Sequence, residues 1–214
     1  VAVALTFDDG PEPSETGAVL EELDRAGAPA TFFVVGERAA AHPEVIVDML
    51  RRGHAVQAHC DRHLAHPDMG DAEIADDIDR VLATLARVGA PRPTLWRVPF
   101  GRPTATTFAL ASERRLQVVG WTLSTADHDP AMTAAQTLSE IDASVPRRIL
   151  HADSIVIMHD AIAESDRTTN AETVALIAPL ASRVASRGWT LERLEAPIAP
   201  ERARGDDAVV LLPG

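Results

Sequence analysis

The 214 residues, 46% hydrophobic and 24% charged, have the profile of one soluble globular domain with a single sizeable core. No apolar run approaches the roughly 20 residues that span a bilayer. A formal charge of −12 with no basic stretch excludes a nucleic-acid partner. All 20 cations are Arg and there is no Tyr, which excludes Schiff-base chemistry, a phosphate-loop lysine and a phenolic acid or base. Proton transfer is left to Asp, Glu, His or Cys60, and a lone cysteine forms no intrachain disulfide. Val1 to Leu5 runs straight into a charged motif and is not a signal peptide. With any such signal removed upstream, cytoplasmic and exported locations both stay open.

Strands and helices alternate along the chain. Val3 to Phe7 is an apolar run ending in Asp-Asp-Gly-Pro, a buried strand meeting a turn. Glu15 to Ala26 has helical spacing, with Gly27 as a stop. Ala30 to Val35 is the next strand, and Pro43 to Arg52 a helix opened by Pro and closed by Gly53. Further strands are expected at Ala55 to Ala58, Thr94 to Val98, Gln117 to Leu123, Ser154 to Met158 and Trp189 to Leu194. Helices are expected at Asp71 to Val88, Thr104 to Arg114, Ala131 to Ser144 and Ala171 to Arg187. This alternation implies crossovers and a parallel sheet. Roughly seven such units in this length predict an irregular, shortened β/α barrel, with catalytic residues just past the C-terminal ends of its strands. Residues 1–194 read as one domain and 195–214 as a tail that the pattern does not place.

Polar clusters fall repeatedly on those strand ends. Asp8 and Asp9 end the first strand, where adjacent residues point to opposite sides and can serve different tasks. A solvated Asp-Gly-Pro turn explains the same pair. His59 and His63, four apart after the third strand, can share one face of a helical turn and bind one metal, or be ordinary surface histidines. With Asp9 they make two imidazoles and a carboxylate, three ligands that leave a position open for water, as a catalytic site needs. Arg97 can orient a carboxylate with its planar fork, or be a surface cation. Asp127 fits a helix cap as well as a site. His159 is a general acid or a satisfied polar residue at the barrel rim.

Taken in order, these clusters resemble the polysaccharide deacetylases of the NodB-homology type, carbohydrate esterase family four. Thr6-Phe7-Asp8-Asp9-Gly10-Pro11 matches that family's first motif in full. Gly53-His54 with His59-Cys60-Asp61-Arg62-His63 resembles the second, and Arg97-Val98-Pro99-Phe100-Gly101 the third. Trp121 through Asp127 resembles the fourth, and Ile157-Met158-His159-Asp160 the fifth. The resemblance runs from Val3 to about Leu194. It implies a divalent metal, zinc first and cobalt or another divalent ion as alternatives, held by Asp9, His59 and His63. It implies Asp8 as general base, tuned by Arg97, and His159 as general acid, paired with Asp127. The backbone N–H of Phe100 would help to hold the oxyanion.

The departures from the family pattern lie around this set. Ser124 stands for the first Asp of the fourth motif and His128 for its Trp; Cys60 stands for a Ser or Thr, and Val98 for a Pro. His66-Pro67 offers an alternative register for the third ligand, though the spacing from His59 favours His63. His42 and His151 read as surface residues and His54 as structural. The metal and acid–base set survives every change, so an active enzyme with an altered substrate is expected.

Aromatic side chains make up only 4% of the chain. Phe32, Phe33, Trp96 and Trp121 fall in expected strands, which leaves few rings for glycan stacking. The expectation is therefore an acetylated amino sugar, a short oligosaccharide or a small N-acetylated molecule. Two rivals remain: the same chemistry on an ester, formamide or imide, and a catalytically silent glycan-binding domain.

Overall fold

The computed structural model describes residues 1–146, 148–161 and 167–198. Eight strands form one sheet: β1 (Ala2–Asp8), β2 (Ala30–Val35), β3 (Ala55–Cys60), β4 (Leu95–Trp96), β5 (Gln117–Val118), β6 (Leu123–Ser124), β7 (Ile155–His159) and β8 (Thr190–Leu191). Among the described residues seven α-helices accompany them: α1 (Pro13–Ala26), α2 (Gly36–Ala41), α3 (Pro43–Arg51), α4 (Asp71–Arg87), α5 (Ala105–Glu113), α6 (Ala134–Asp142) and α7 (Ala171–Ser186).

Every strand pairing is parallel, in the order β5-β4-β3-β2-β1-β7-β6, with β8 against the start of β1. The apolar stretch expected to be one strand from Gln117 to Leu123 is two, and they lie at opposite edges of the sheet. Val119 N–H still bonds Trp96 O on one edge, while Thr122 N–H already bonds Ile155 O on the other. So short a link spans at most about 3.5 Å per residue, so the sheet must curl until its edges nearly meet. The result is the shortened β/α barrel.

Alternation along β1 sorts the interior. Val3, Leu5 and Phe7 face the helices and join the main core with Leu20, Leu23, Ile46, Ile78 and Leu180. Ala4 faces into the barrel with Phe33, Leu95, Val119 and Ile155, and Leu194 and Ile198 close that smaller cluster. Leu194 N–H bonds Thr31 Oγ1, and Gln117 holds both the N–H and the C=O of Ile198. Residues 195–198 of the expected tail therefore pack on the barrel, and residues 199–214 lie outside the described residues.

Local sequence explains where the elements start and stop. Glu12 caps α1 by accepting from Ser14 and Glu15 N–H, Pro13 opens it, and Gly27 ends it at a left-handed φ of 59°. Thr104 and Thr133 cap α5 and α6. Among the described residues no helix is long and apolar enough to cross a membrane.

Candidate active site

Strand register brings the clusters together. Asp8 at the end of β1 sits opposite His159 at the end of β7, and Ala58 of β3 opposite Trp96 of β4. Beyond these ends lies a cavity of about 580 Å³, lined in part by Asp8, Asp9, His59, His63, Phe100 and His159. That volume falls within the usual range for small-molecule sites.

Asp9 Oδ1 stands 3.3 Å from His59 Nε2 and 3.1 Å from His63 Nε2. One ligand atom from each residue lies within 4.8 Å of the others. His59 Nδ1 is 2.6 Å from Arg97 O; a carbonyl only accepts, so Nδ1 carries a proton, and in the neutral ring Nε2 then presents a lone pair. Asp9 Oδ1 is buried with no well-formed hydrogen bond. A carboxylate oxygen facing an imidazole lone pair is a repulsive contact unless a cation lies between them, so these donors fit a divalent metal. Burial opposes ionisation of Asp9, yet the close His59 and His63 rings and the nearby His159 hold it charged, well below the usual carboxylate range.

His59 itself lies inside β3, which runs to Cys60, rather than in a helical turn after the strand. The step to His63 is a bend at a left-handed φ of 49°. Asp9 also leaves strand geometry, at φ 78°, so the split between Asp8 and Asp9 comes from a turn and not from strand alternation. Phe100 (φ 58°) and Ala126 (φ 51°) share this region. Positive φ is uncommon for residues other than glycine, and such conformations concentrate at functional sites. At Gly10 the chain passes so close to Asp160 that a Cβ would meet Oδ2 at 1.9 Å. Only glycine fits there.

Arg97 is fully buried, not a surface cation. Its Nη1 donates to Asp8 Oδ1 (2.8 Å) and Thr6 Oγ1 (2.7 Å), and Nη2 donates to Gly120 O (2.8 Å). The guanidinium lies 4.1 Å over the Phe33 ring. One side chain thus ties β4 to β1 and to the link that closes the barrel.

Asp127 caps no helix; Thr133 caps α6 instead. Asp127 Oδ1 accepts from His159 Nδ1 (2.9 Å) and Thr125 Oγ1 (3.0 Å), and Oδ2 from His159 N–H (2.7 Å) and Thr173 Oγ1 (2.8 Å). Burial disfavours the charged imidazole, but Asp127, with Asp9 and Asp8 beyond it, outweighs that and pushes the His159 pKa up to about 10. With Nδ1 engaged, Nε2 is the nitrogen left to face the cavity. Asp127, His128 and His159 also form a close group, but four accepted hydrogen bonds saturate the Asp127 oxygens.

His66 lies outside the group formed by Asp9, His59 and His63. It is buried, its Nδ1 lies 2.8 Å from Thr107 Oγ1, and burial, then His59, pushes its pKa down to about 4. His54 Nδ1 accepts from Ala30 N–H, a structural bond. His42 is half-buried at the start of α3, and His151 is exposed. Cys60 is buried, and its Sγ accepts from His63 N–H at 3.2 Å, the kind of bond a hydroxyl would make there.

Thr173, Arg167 and Asn170 belong to the site but carry no signal in the sequence, whereas Trp121, Ser124 and His128 fall at the fourth motif. Thr173, on α7, reaches Asp127 across 46 positions. Arg167, Asn170 and the half-buried Trp121 line the cavity, Trp121 because it sits in the barrel link and not in a strand. Ser124 and His128 line it too, and the His128 ring packs edge-on against His159 at 5.2 Å.

The polysaccharide deacetylase family model matches residues 1–119, more than half of the chain. A chitooligosaccharide deacetylase of Bradyrhizobium sp. (strain ANU 289) is 33% identical over 203 residues, covering 90% of this chain and 89% of that protein. A peptidoglycan-N-acetylglucosamine deacetylase of Bacillus cereus is 30% identical over 187 residues, covering 87% and 83%. Among solved structures, a family 4 carbohydrate esterase from Streptomyces lividans in complex with acetate is similar with a TM-score of 0.78 at 25% identity, covering 100% of this chain and 98% of that one. A family 4 acetyl xylan esterase from Clostridium thermocellum in complex with cobalt has a TM-score of 0.77 at 26% identity, covering 90% and 88%. The chain belongs to the polysaccharide deacetylase family, the NodB-homology hydrolases.

Proposed function

We propose that the chain is a metal-dependent deacetylase that hydrolyses the N-acetyl group of an amino sugar, a short oligosaccharide or a small N-acetylated molecule. One observation carries this reading: Asp9, His59 and His63 converge on the same cavity as two hydrogen-bonded pairs, Asp8–Arg97 and Asp127–His159. The names of the Bradyrhizobium and Bacillus relatives support an acetylated glycan as substrate. The cobalt in the Clostridium esterase supports a divalent metal, for which zinc is the first candidate.

Asp9, His59 and His63 hold that ion. When bound, it supplies Lewis acidity toward the acyl oxygen and acidifies a water. Asp8 takes the proton from the attacking water. Arg97 donates to its Oδ1, which orients the carboxylate. His159, protonated and oriented by Asp127, gives its Nε2 proton to the leaving nitrogen. The Phe100 N–H donates to the developing oxyanion.

The test is acetate release from acetylated chito-oligomers, peptidoglycan fragments, acetylated xylan and N-acetylglucosamine, each with metal-stripped protein and with zinc or cobalt restored. Acetate that appears only with metal supports the reading and narrows the substrate. No acetate from any of them, with metal bound, moves the assignment to a formamide or imide. Failure to bind metal overturns it.

A further inference from the structure

We propose that Asp77, a residue of helix α4 outside every motif of the site, is a positioning residue that shapes the turn between His59 and His63. The inference rests on the reading of these histidines as metal ligands and adds a residue to it. β3 ends at Cys60, and His63 must then swing back at a left-handed φ to bring Nε2 within 3.1 Å of Asp9.

Side chains direct that swing. Asp77 Oδ2 accepts from Asp61 N–H at 2.7 Å, and Asp77 Oδ1 accepts from Arg62 N–H at 3.2 Å. Cys60 Sγ takes the next amide, that of His63. Three consecutive N–H groups are thus spent on two side chains. Successive amides aimed at one anion make the concave backbone arrangement that binds phosphates and other anions, and here the protein's own carboxylate fills it.

Asp77 is only 2% exposed, and the Arg62 guanidinium stands 3.7 Å from the same Oδ1. The helix that carries it is anchored in the core by Ile74, Ile78, Val81 and Leu85. The turn is therefore set from a rigid element, not from the loop itself. The chemistry requires a carboxylate: an Asn keeps one acceptor oxygen and turns an amide N–H₂ against the other backbone N–H.

The experiment is a zinc titration of metal-stripped protein against a chromophoric chelator, with the cobalt absorption spectrum as a second readout. It compares the parent chain with Asp77→Asn, Asp77→Glu and Arg62→Ala. Asp77→Asn is expected to weaken zinc binding about 10- to 100-fold, as for groups that orient metal ligands, and to alter the cobalt spectrum while the metal-free protein stays folded by circular dichroism. Asp77→Glu restores binding, and Arg62→Ala, which keeps both amide bonds, binds as the parent does. Parent-like affinity and spectrum in Asp77→Asn overturn the inference, and so does a loss in Arg62→Ala as large as in Asp77→Asn. Should Asp77→Asn fail to fold, a folded Asp77→Glu with weakened binding overturns it instead. A parent chain that binds no metal sinks the functional reading first and this inference with it, a result seen before any substitution is made.

Discussion

His159 gives both its Nδ1 proton and its backbone N–H to Asp127, and its raised pKa follows from that embrace. A general acid with a folded pKa near 10 is protonated at neutral pH, and the activity it supports is lost as pH rises through that value. Asp127→Asn removes the chief raising influence and leaves burial, which lowers the pKa. The alkaline limb of kcat/KM should therefore move to lower pH; an unmoved limb would show that Asp127 does not tune the acid. The same sign governs stability. The proton on His159 stabilises the fold below its ordinary value of 6.5, and this contribution is lost as pH rises through about 10. Asp127, whose pKa is lowered by His159 against the opposing effect of burial, contributes above its ordinary value of 3.8 and loses this as pH falls. Asp8 is tested more simply. Asp8→Asn keeps the shape beside Arg97 but cannot accept a proton, so turnover should fall by at least about 100-fold while zinc binding persists. Retained turnover would end the assignment of the base.

At the scale of elements, the barrel depends on how its two ends are sealed. One end holds the cavity, and at the other Leu194 and Ile198 cover Ala4, Phe33 and Ile155. Ile198 is 5% exposed. Ile198→Ala should cost about 2–5 kcal/mol and lower the melting temperature by roughly 5–15 °C, with metal affinity unchanged. A melt equal to the parent's would show that the plug is not needed. Little of this plug was legible in the sequence: Ile198 follows the last strand signal, and the strand expected to end at Leu194 in fact stops at Leu191. The strand ends bearing Asp8, Arg97 and His159 were legible, because apolar runs stop at charged residues there. The division of Gln117–Leu123 was not: Gly120 in its middle signals a bulge or a close approach within one strand as readily as a break between two. Helix α2 was missed because Gly36–Ala41 has no side-chain cap and too few residues to show a period. His59 and His63 were singled out by their spacing, and the structure brings both beside Asp9, but that spacing suggested a helical turn. The geometry comes instead from a strand end plus a left-handed residue, with its amides held by Cys60 nearby and by Asp77 from a separate helix, and the Asp77 contacts are in no local pattern.

For the whole molecule, a charge of −12 surrounds a cavity of about 580 Å³. An anionic polymer must approach such a protein against its field, whereas a neutral oligosaccharide does not. The penalty is long-range and so depends on screening, which acts over about 30 Å at 0.01 M salt and about 8 Å at 0.15 M. Raising salt between these two values should therefore increase kcat/KM for an anionic peptidoglycan fragment and leave that for a neutral chito-oligosaccharide nearly flat. Cavity size makes a second demand of the same experiment. A pocket of this volume engages few sugar units, and exposed rings near it are scarce, with Phe100 half exposed at its rim. Along a series of neutral chito-oligomers, kcat/KM should rise over the first few units and then level off. A continued rise toward long chitin would mean that the surface beyond the cavity binds glycan. A salt response shared by charged and neutral substrates would place the effect on the protein's own ion pairs. Flat salt curves for both, with an early plateau, would instead leave the cavity alone to choose the substrate, through Trp121, Ser124 and His128 on its wall.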